Sequence, residues 1–254
     1  MPGGVHFSSG NYGTGPNYLL FLTGVSIMAL GAIAITLAYV IIWLVGYFSG
    51  LPLSDTWQGL VHSGNLPDTV LVQTGLNLVV FLCFLVVLRL SPLAGYHGAE
   101  HKVVHCLELY GVVDRDLAKT CPRAHKRCGT TLLAGFLPIP FLAIPLLSIP
   151  FYGVPAALAI AAVGWLTRFP VGALIQQIFT TKEPTPHQMD TAVRAAERLL
   201  ERWRRDPHRR VPLWQGLWVR GFPQMVAGAI IAAQVLNWLQ VKLPFWLDFG
   251  HVLH

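Results

Sequence analysis

Charge is scarce in this chain. Only 12% of its 254 residues are Asp, Glu, Lys or Arg, while 54% are hydrophobic and the mean hydropathy is +0.53. That balance excludes an ordinary soluble domain of this length. Cysteine is scarce too: Cys83, Cys106, Cys121 and Cys128. Cys83 lies in an apolar run and reads as a small buried hydrophobe. The other three share one polar segment, and whether they pair depends on the side of the membrane that holds them. The opening residues, MPGGVHFSSGNYGTGPN, contain no charged side chain. Lacking the basic region of a cleaved signal peptide, they read as a flexible lead into a retained span. Few ionisable groups fall inside the apolar runs, which disfavours a pure transporter.

What is present is a series of long uncharged runs, each near the roughly 20 residues a membrane span needs. They predict an all-α, polytopic helical membrane protein with four or five transmembrane spans. Residues 1–17 form an N-terminal tail and 18–90 two transmembrane helices, from about Tyr18 to Tyr47 and from about Thr69 to Leu90. Residues 91–131 form a cytoplasmic metal-site segment. Residues 132–167 form a transmembrane hairpin turning at FYGVP, with Pro138, Pro140 and Pro145 kinking its first arm. Residues 168–222 form a basic cytoplasmic segment, and 223–254 a C-terminal apolar span and tail. Within the basic segment, TAVRAAERLLERWRR places Val193, Ala196, Leu199, Leu200 and Trp203 on one face, an amphipathic helix that lies on the bilayer or packs against the polar segment. Thr185 and Pro186 read as its N-cap and first residue.

Basic residues set the expected orientation. All of the 18 Lys and Arg except Lys242 lie between Arg89 and Arg220. The loop at Ser49–Asp68 and the hairpin tip have none. The positive-inside rule then places the N-terminus, Ser91–Thr130 and Arg168–Arg220 in the cytoplasm. There a structural disulfide is disfavoured, and metal ligation or catalysis by the thiols gains weight. On such a protein the net charge of +6 reports topology and contact with membrane lipids rather than nucleic acid.

The densest polar cluster is SPLAGYHGAEHKVVHCLELYG. Read as one helix, with Pro92 in its first turn and Gly111 as its C-terminal cap, it stacks His97, His101, His105 and Glu108 within roughly one quarter of the circumference. Glu100 flanks that arc and Lys102 points away from it. His-x-x-Glu-His is the pattern of the inverted zinc-protease motif. Two imidazoles one turn apart can hold one metal ion, and the adjacent glutamate can take a proton from water. His97 and His101 are therefore the expected ligands and Glu100 the expected general base. A solvated helix face is the alternative. His105 is open between a ligand, a group that orients a ligand, and an interfacial histidine.

About 20 residues further on, CPRAHKRCGTT offers Cys121, His125 and Cys128 as candidates to complete the metal shell. Arg123, Lys126 and Arg127 read as lipid-headgroup contacts. The blocks YHGAEHK, HKRCGTT and TTKEPTPHQMDTAV, over about Leu71 to Leu200, resemble the YqhQ-like family of bacterial polytopic membrane proteins. Its members carry a domain of unknown function and are usually described as predicted metal-dependent enzymes. The resemblance implies a multi-pass protein of the bacterial cytoplasmic membrane, with no substrate specified. Lys126 stands where the family has proline, and Cys121 where it often has histidine. The family's Glu-Gly-Val-Met-Met-Arg block is missing.

Together these features lead to the expectation of a metal-dependent hydrolase. It would use zinc, or another divalent transition metal, on a membrane-associated substrate at the cytoplasmic face. The competing expectation is a non-enzymatic scaffold, assembly or transport subunit in which four protein ligands close a structural metal site. In TTKEPTPHQMD, Glu183 is a further candidate to form a salt bridge toward the metal loop.

Overall fold

The computed structural model describes residues 12–13, 15–51, 53, 69–147 and 149–242. Among them the chain is helical, with no strand. The elements are α1 (Asn17–Ser49), α2 (Thr69–Leu90), α3 (Pro92–Tyr110), α4 (Arg115–Thr120), α5 (Gly129–Phe136), α6 (Gly153–Ile175), α7 (Pro186–Arg205), α8 (Leu213–Val219) and α9 (Phe222–Lys242). Among the described residues five segments are long and apolar enough to cross a membrane: Asn17–Ser49, Val70–Leu90, Gly129–Leu146, Gly153–Thr180 and Phe222–Leu239. Their surfaces are rich in exposed Leu, Ile, Val and Phe. This is a polytopic helical membrane protein, with the larger of the two expected span counts. The expected tail and the loop at 54–68 lie almost wholly outside the described residues.

The chain divides into two units. One takes the residues up to Ala32, Ser91–Arg123 and those from Thr181 onward; the other takes Ile33–Leu90 and Ala124–Thr180. In the second unit small residues bring helices close. A Cβ on Gly164 of α6 would meet the Gly135 carbonyl oxygen at 2.8 Å, and one on Gly172 would meet Thr131 Cα at 2.8 Å. Dispersion between closely approached backbones is what holds helices together in lipid. The prolines after α5 are absorbed by a π turn, Ile139–Ala143, before a last turn at Ile144–Leu146. The second hairpin arm outruns its expected end near Leu166: α6 reaches Ile175 and continues as a π turn, Gln176–Thr180. Arg168 does not end it, because its guanidinium stacks over the Trp165 and Phe169 rings.

In the first unit the starts of α1 and α9 pack together. A Cβ on Gly24 would lie 1.9 Å from the Met225 carbonyl oxygen, and one on Gly228 2.0 Å from that of Phe21. Gln224 donates to the Asn17 side-chain carbonyl at 2.9 Å. A Cβ on Gly221, just before α9, would meet Leu20, while Gly24, further along α1, meets Met225 and Ala229; later residues of α1 meet later residues of α9, so the two helices run in parallel. That is the relation a first and a fifth span must have.

The polar part of this unit is built on α3. Ser91 caps its N-terminus by accepting from Leu93 N–H, Pro92 opens it, and Gly111 closes it at φ 71°. The core of Ala99, Val103, Cys106, Ala118, Cys121, Met189, Ala192, Ala195 and Ala196 joins α3 to α4 and α7. Of the two positions expected for the amphipathic helix, it takes the one against the polar segment. Its buried face is Gln188, Met189, Ala192, Ala195 and Ala196, while Trp203 remains exposed. Thr185 and Gln188 form a reciprocal capping box, and Pro186 is the first residue, as expected.

Candidate metal centre on α3

The i, i+4 spacing puts His97 and His101 on one face of α3, with ring centroids 4.3 Å apart. Candidate metal-binding groups form around two pairs on this helix, His97 with His101 and His105 with Glu108. His101 is buried, and its Nδ1 meets the Arg123 carbonyl oxygen at 2.5 Å. A carbonyl only accepts, so in a neutral imidazole the proton sits on Nδ1 and the lone pair on Nε2. An imidazole held this way is the usual form of a metal ligand.

The residues that hold Arg123 extend the arrangement. Arg123 pairs with Glu183 at 3.6 Å and donates to the Thr181 carbonyl at 3.4 Å. Glu183 also pairs with Lys102 at 2.9 Å. Lys102 is almost fully buried and further donates to the Lys119 carbonyl at 2.6 Å. Lys102 thus points away from the histidine arc, as its position on the helical wheel requires, and ties α3 to α4 and to the 181–183 segment. Glu183 does form a salt bridge to the loop after α4. For Arg123 the expectation of a headgroup contact gives way to this internal pairing, whereas Lys126 and Arg127 are exposed.

Glycine makes that segment's approach possible. A Cβ on Gly98 would lie 2.3 Å from the Lys182 carbonyl oxygen, and one on Gly95 2.3 Å from Gln188 Oε1. Lys182 N–H donates to the Ala94 carbonyl at 2.9 Å, and Gln188 Nε2 to that of Pro92 at 3.2 Å. The two glycines in GYHGAEH therefore serve packing against the segment from Lys182 to Gln188.

Glu100 is half-buried beside this pair. Burial pushes its carboxyl above the ordinary range, and His97 draws it partly back. A carboxyl raised in this way suits a proton acceptor working near neutral pH.

The remaining candidates separate. Cys121 lies in the apolar core, and its thiol donates to the Leu117 carbonyl at 3.4 Å. Burial, and then the neighbouring Cys106, push that thiol up, an environment unlike that of a metal-binding thiolate. His125 is buried in the other unit, where Arg127 N–H donates to its Nδ1 at 3.2 Å. Its neutral ring therefore carries the proton on Nε2. Cys128 is half-buried and caps α5, its sulfur accepting from Thr130 N–H at 3.4 Å. The same sulfur also meets Thr130 Oγ1 at 3.4 Å.

One residue that the sequence reading passed over is Gln176. It is fully buried; its Oε1 accepts from His125 N–H at 2.7 Å, and its Nε2 donates to the His125 carbonyl at 3.2 Å and to Thr131 Oγ1 at 3.1 Å. The only signal was a pair of amides inside the apolar run GALIQQIF.

No curated protein and no solved structure matches the chain. A family model described as a protein of unknown function, DUF1385, matches residues 24–152, half of the chain. The match begins within the first span, earlier than the resemblance at about Leu71, and ends at the hairpin tip. It includes α3 and the Cys121–Thr131 segment and stops short of the 181–200 block. The chain belongs to the DUF1385 family of proteins of unknown function.

Proposed function

We propose that this chain is a metal-dependent hydrolase of the bacterial cytoplasmic membrane, similar to the YqhQ-like proteins, acting on a membrane-associated substrate at the cytoplasmic face. The observation that carries the reading is the Arg123 carbonyl on His101 Nδ1, which leaves the lone pair on Nε2 of a ring whose centroid lies 4.3 Å from that of His97. Zinc suits this donor set, since neutral imidazoles and a thiolate are its common ligands. The further ligands expected from the sequence are His125, Cys128 and Cys121. Within its own unit the Cys128 sulfur accepts from Thr130 N–H and His125 Nδ1 accepts from Arg127 N–H, while the Cys121 thiol donates to the Leu117 carbonyl in the core of the first unit. His105 and Glu108 stand one turn further along and belong to the shell only if the site extends there.

A bound zinc ion would polarise the scissile carbonyl or phosphoryl group and acidify the attacking water. Glu100 accepts the proton from that water and returns it to the leaving group. His97 and His101 hold their positions because α3 is capped at both ends. The Glu183–Arg123 pair keeps the carbonyl on His101. Orientation follows the basic residues, which place 91–131 and the basic segment in the cytoplasm.

The test is Glu100→Gln compared with wild type at matched zinc content. The amide is nearly isosteric but does not accept the proton at neutral pH. The expected result is normal metal content and membrane level with loss of cellular complementation. Full complementation by the variant would overturn hydrolysis by this motif and favour a structural metal in a scaffold.

A further inference from the structure

A second feature lies away from the histidines, in the same unit. A cleft of 540 Å³ opens between the end of α7, the start of α1 and α8. Its volume lies within the range of small-molecule sites, about 300–1,000 Å³. Arg202, Arg205 and Arg209 line it, with Asp206 as the one acidic residue, so the lining carries a net positive charge. Two of these arginines are held by the chain's beginning. Arg202 donates to the Gly13 carbonyl, and the Arg209 guanidinium lies over the Tyr12 ring at 5.2 Å. Tyr12 itself donates to the Asp206 carbonyl. The opposite wall is apolar, formed by Leu20, Trp218 and Val219.

The position of the cleft selects the ligand. Asn17 is the first residue of the first span, and Trp218 lies in the last turn of a short helix that ends at Val219, three residues before the last span begins. Those two spans are parallel neighbours, so the cleft sits where both enter the bilayer from the same side. Guanidinium groups match phosphate oxygens in a bidentate geometry. An indole beside them has the amphipathic character of a headgroup-level anchor. We propose that this cleft binds the headgroup of an anionic phospholipid, with its phosphate on Arg202, Arg205 and Arg209 and its glycerol and upper acyl chain along Leu20 and Trp218. The bound lipid would join the C-terminal end of α7 to the first turn of α1. This proposal does not rest on the metal reading, and metal-free and metal-loaded protein should bind the lipid alike.

The experiment uses the full chain in nanodiscs containing phosphatidylcholine with a minor fraction of a photoactivatable phosphatidylglycerol. Crosslinks are mapped by peptide mass spectrometry. Crosslinking is expected on peptides spanning residues 12–20 and 202–219, competed by unlabelled phosphatidylglycerol and not by phosphatidylcholine. The triple variant Arg202→Gln/Arg205→Gln/Arg209→Gln should lose it about tenfold or more, from the loss of three cationic contacts to the headgroup. Arg194→Gln/Arg198→Gln, on exposed positions of the same helix, should retain it. Equal loss in both variants would reduce the effect to general surface charge and overturn the site. Crosslinks elsewhere in the wild type would overturn it without any variant, so a triple mutant that fails to fold does not decide the matter. Full competition by glycerol 3-phosphate or inorganic phosphate would assign the cleft to a soluble phosphate and overturn the lipid.

Discussion

At the scale of single residues, two predictions isolate what surrounds the histidine pair. Glu183 pairs with Arg123, whose carbonyl meets His101, so Glu183→Gln should weaken zinc binding about tenfold or more, as removal of a group that orients a ligand commonly does. Metal competition with a chromophoric chelator measures this; an unchanged affinity would break the proposed chain from Glu183 to His101. Glu100 gives a different signal in the metal-free protein. Its carboxyl is raised on folding, so the native state holds the proton more tightly than the unfolded chain. Stability is therefore lost as pH rises past the unfolded value toward and beyond the raised one. Glu100→Gln should stabilise the metal-free protein at pH 8 and change little at pH 4, where both states are protonated. Thermal unfolding in detergent at the two pH values checks the sign.

At the scale of elements, caps and close approaches decide what forms. Thr185 closes the capping box that starts α7, and Thr185→Ala should cost about 1 kcal/mol. Denaturant titration of the helical signal reads that loss. Gly98→Ala should do more than its small size suggests. The added methyl group meets the Lys182 backbone, which must shift and take Glu183 with it. The expected outcome is weaker metal binding with α3 itself still helical. A variant that binds metal as tightly as wild type would show that the 181–183 segment moves freely from α3.

At the scale of the whole molecule, five spans and one-sided basic charge make topology the governing prediction. A thiol introduced by Asp116→Cys, at an exposed position of α4, should resist an impermeant maleimide in intact cells and react after lysis. Labelling before lysis would reverse the orientation and move the thiols to an oxidising side. Much of this architecture was legible beforehand. The second span coincides with its expected bounds, and α3 ends at the predicted glycine. Span ends fall where a long apolar run meets charge or a cap, and hydropathy alone locates those changes. The extension of α6 past Arg168 was not legible, because the sequence does not show that two aromatic rings shelter that guanidinium.

The sequence by itself determined the number of spans to within one, the face that His97 and His101 share, the C-terminal cap of α3 at Gly111 and the N-cap of α7 at Thr185. These depend on residues within a turn or two of each other, where the helical period alone sets the geometry. Only the tertiary structure decided that Arg123 turns inward to Glu183, that Cys121 is buried with Cys106, and that three arginines at and just beyond the end of α7 line one cleft with residues near the start of α1. Those are contacts between residues about 15 to nearly 200 positions apart, and no local pattern encodes which distant partner a charge or thiol will meet. Packing selects the partner, because a buried charge or donor must be satisfied wherever the fold brings the matching group.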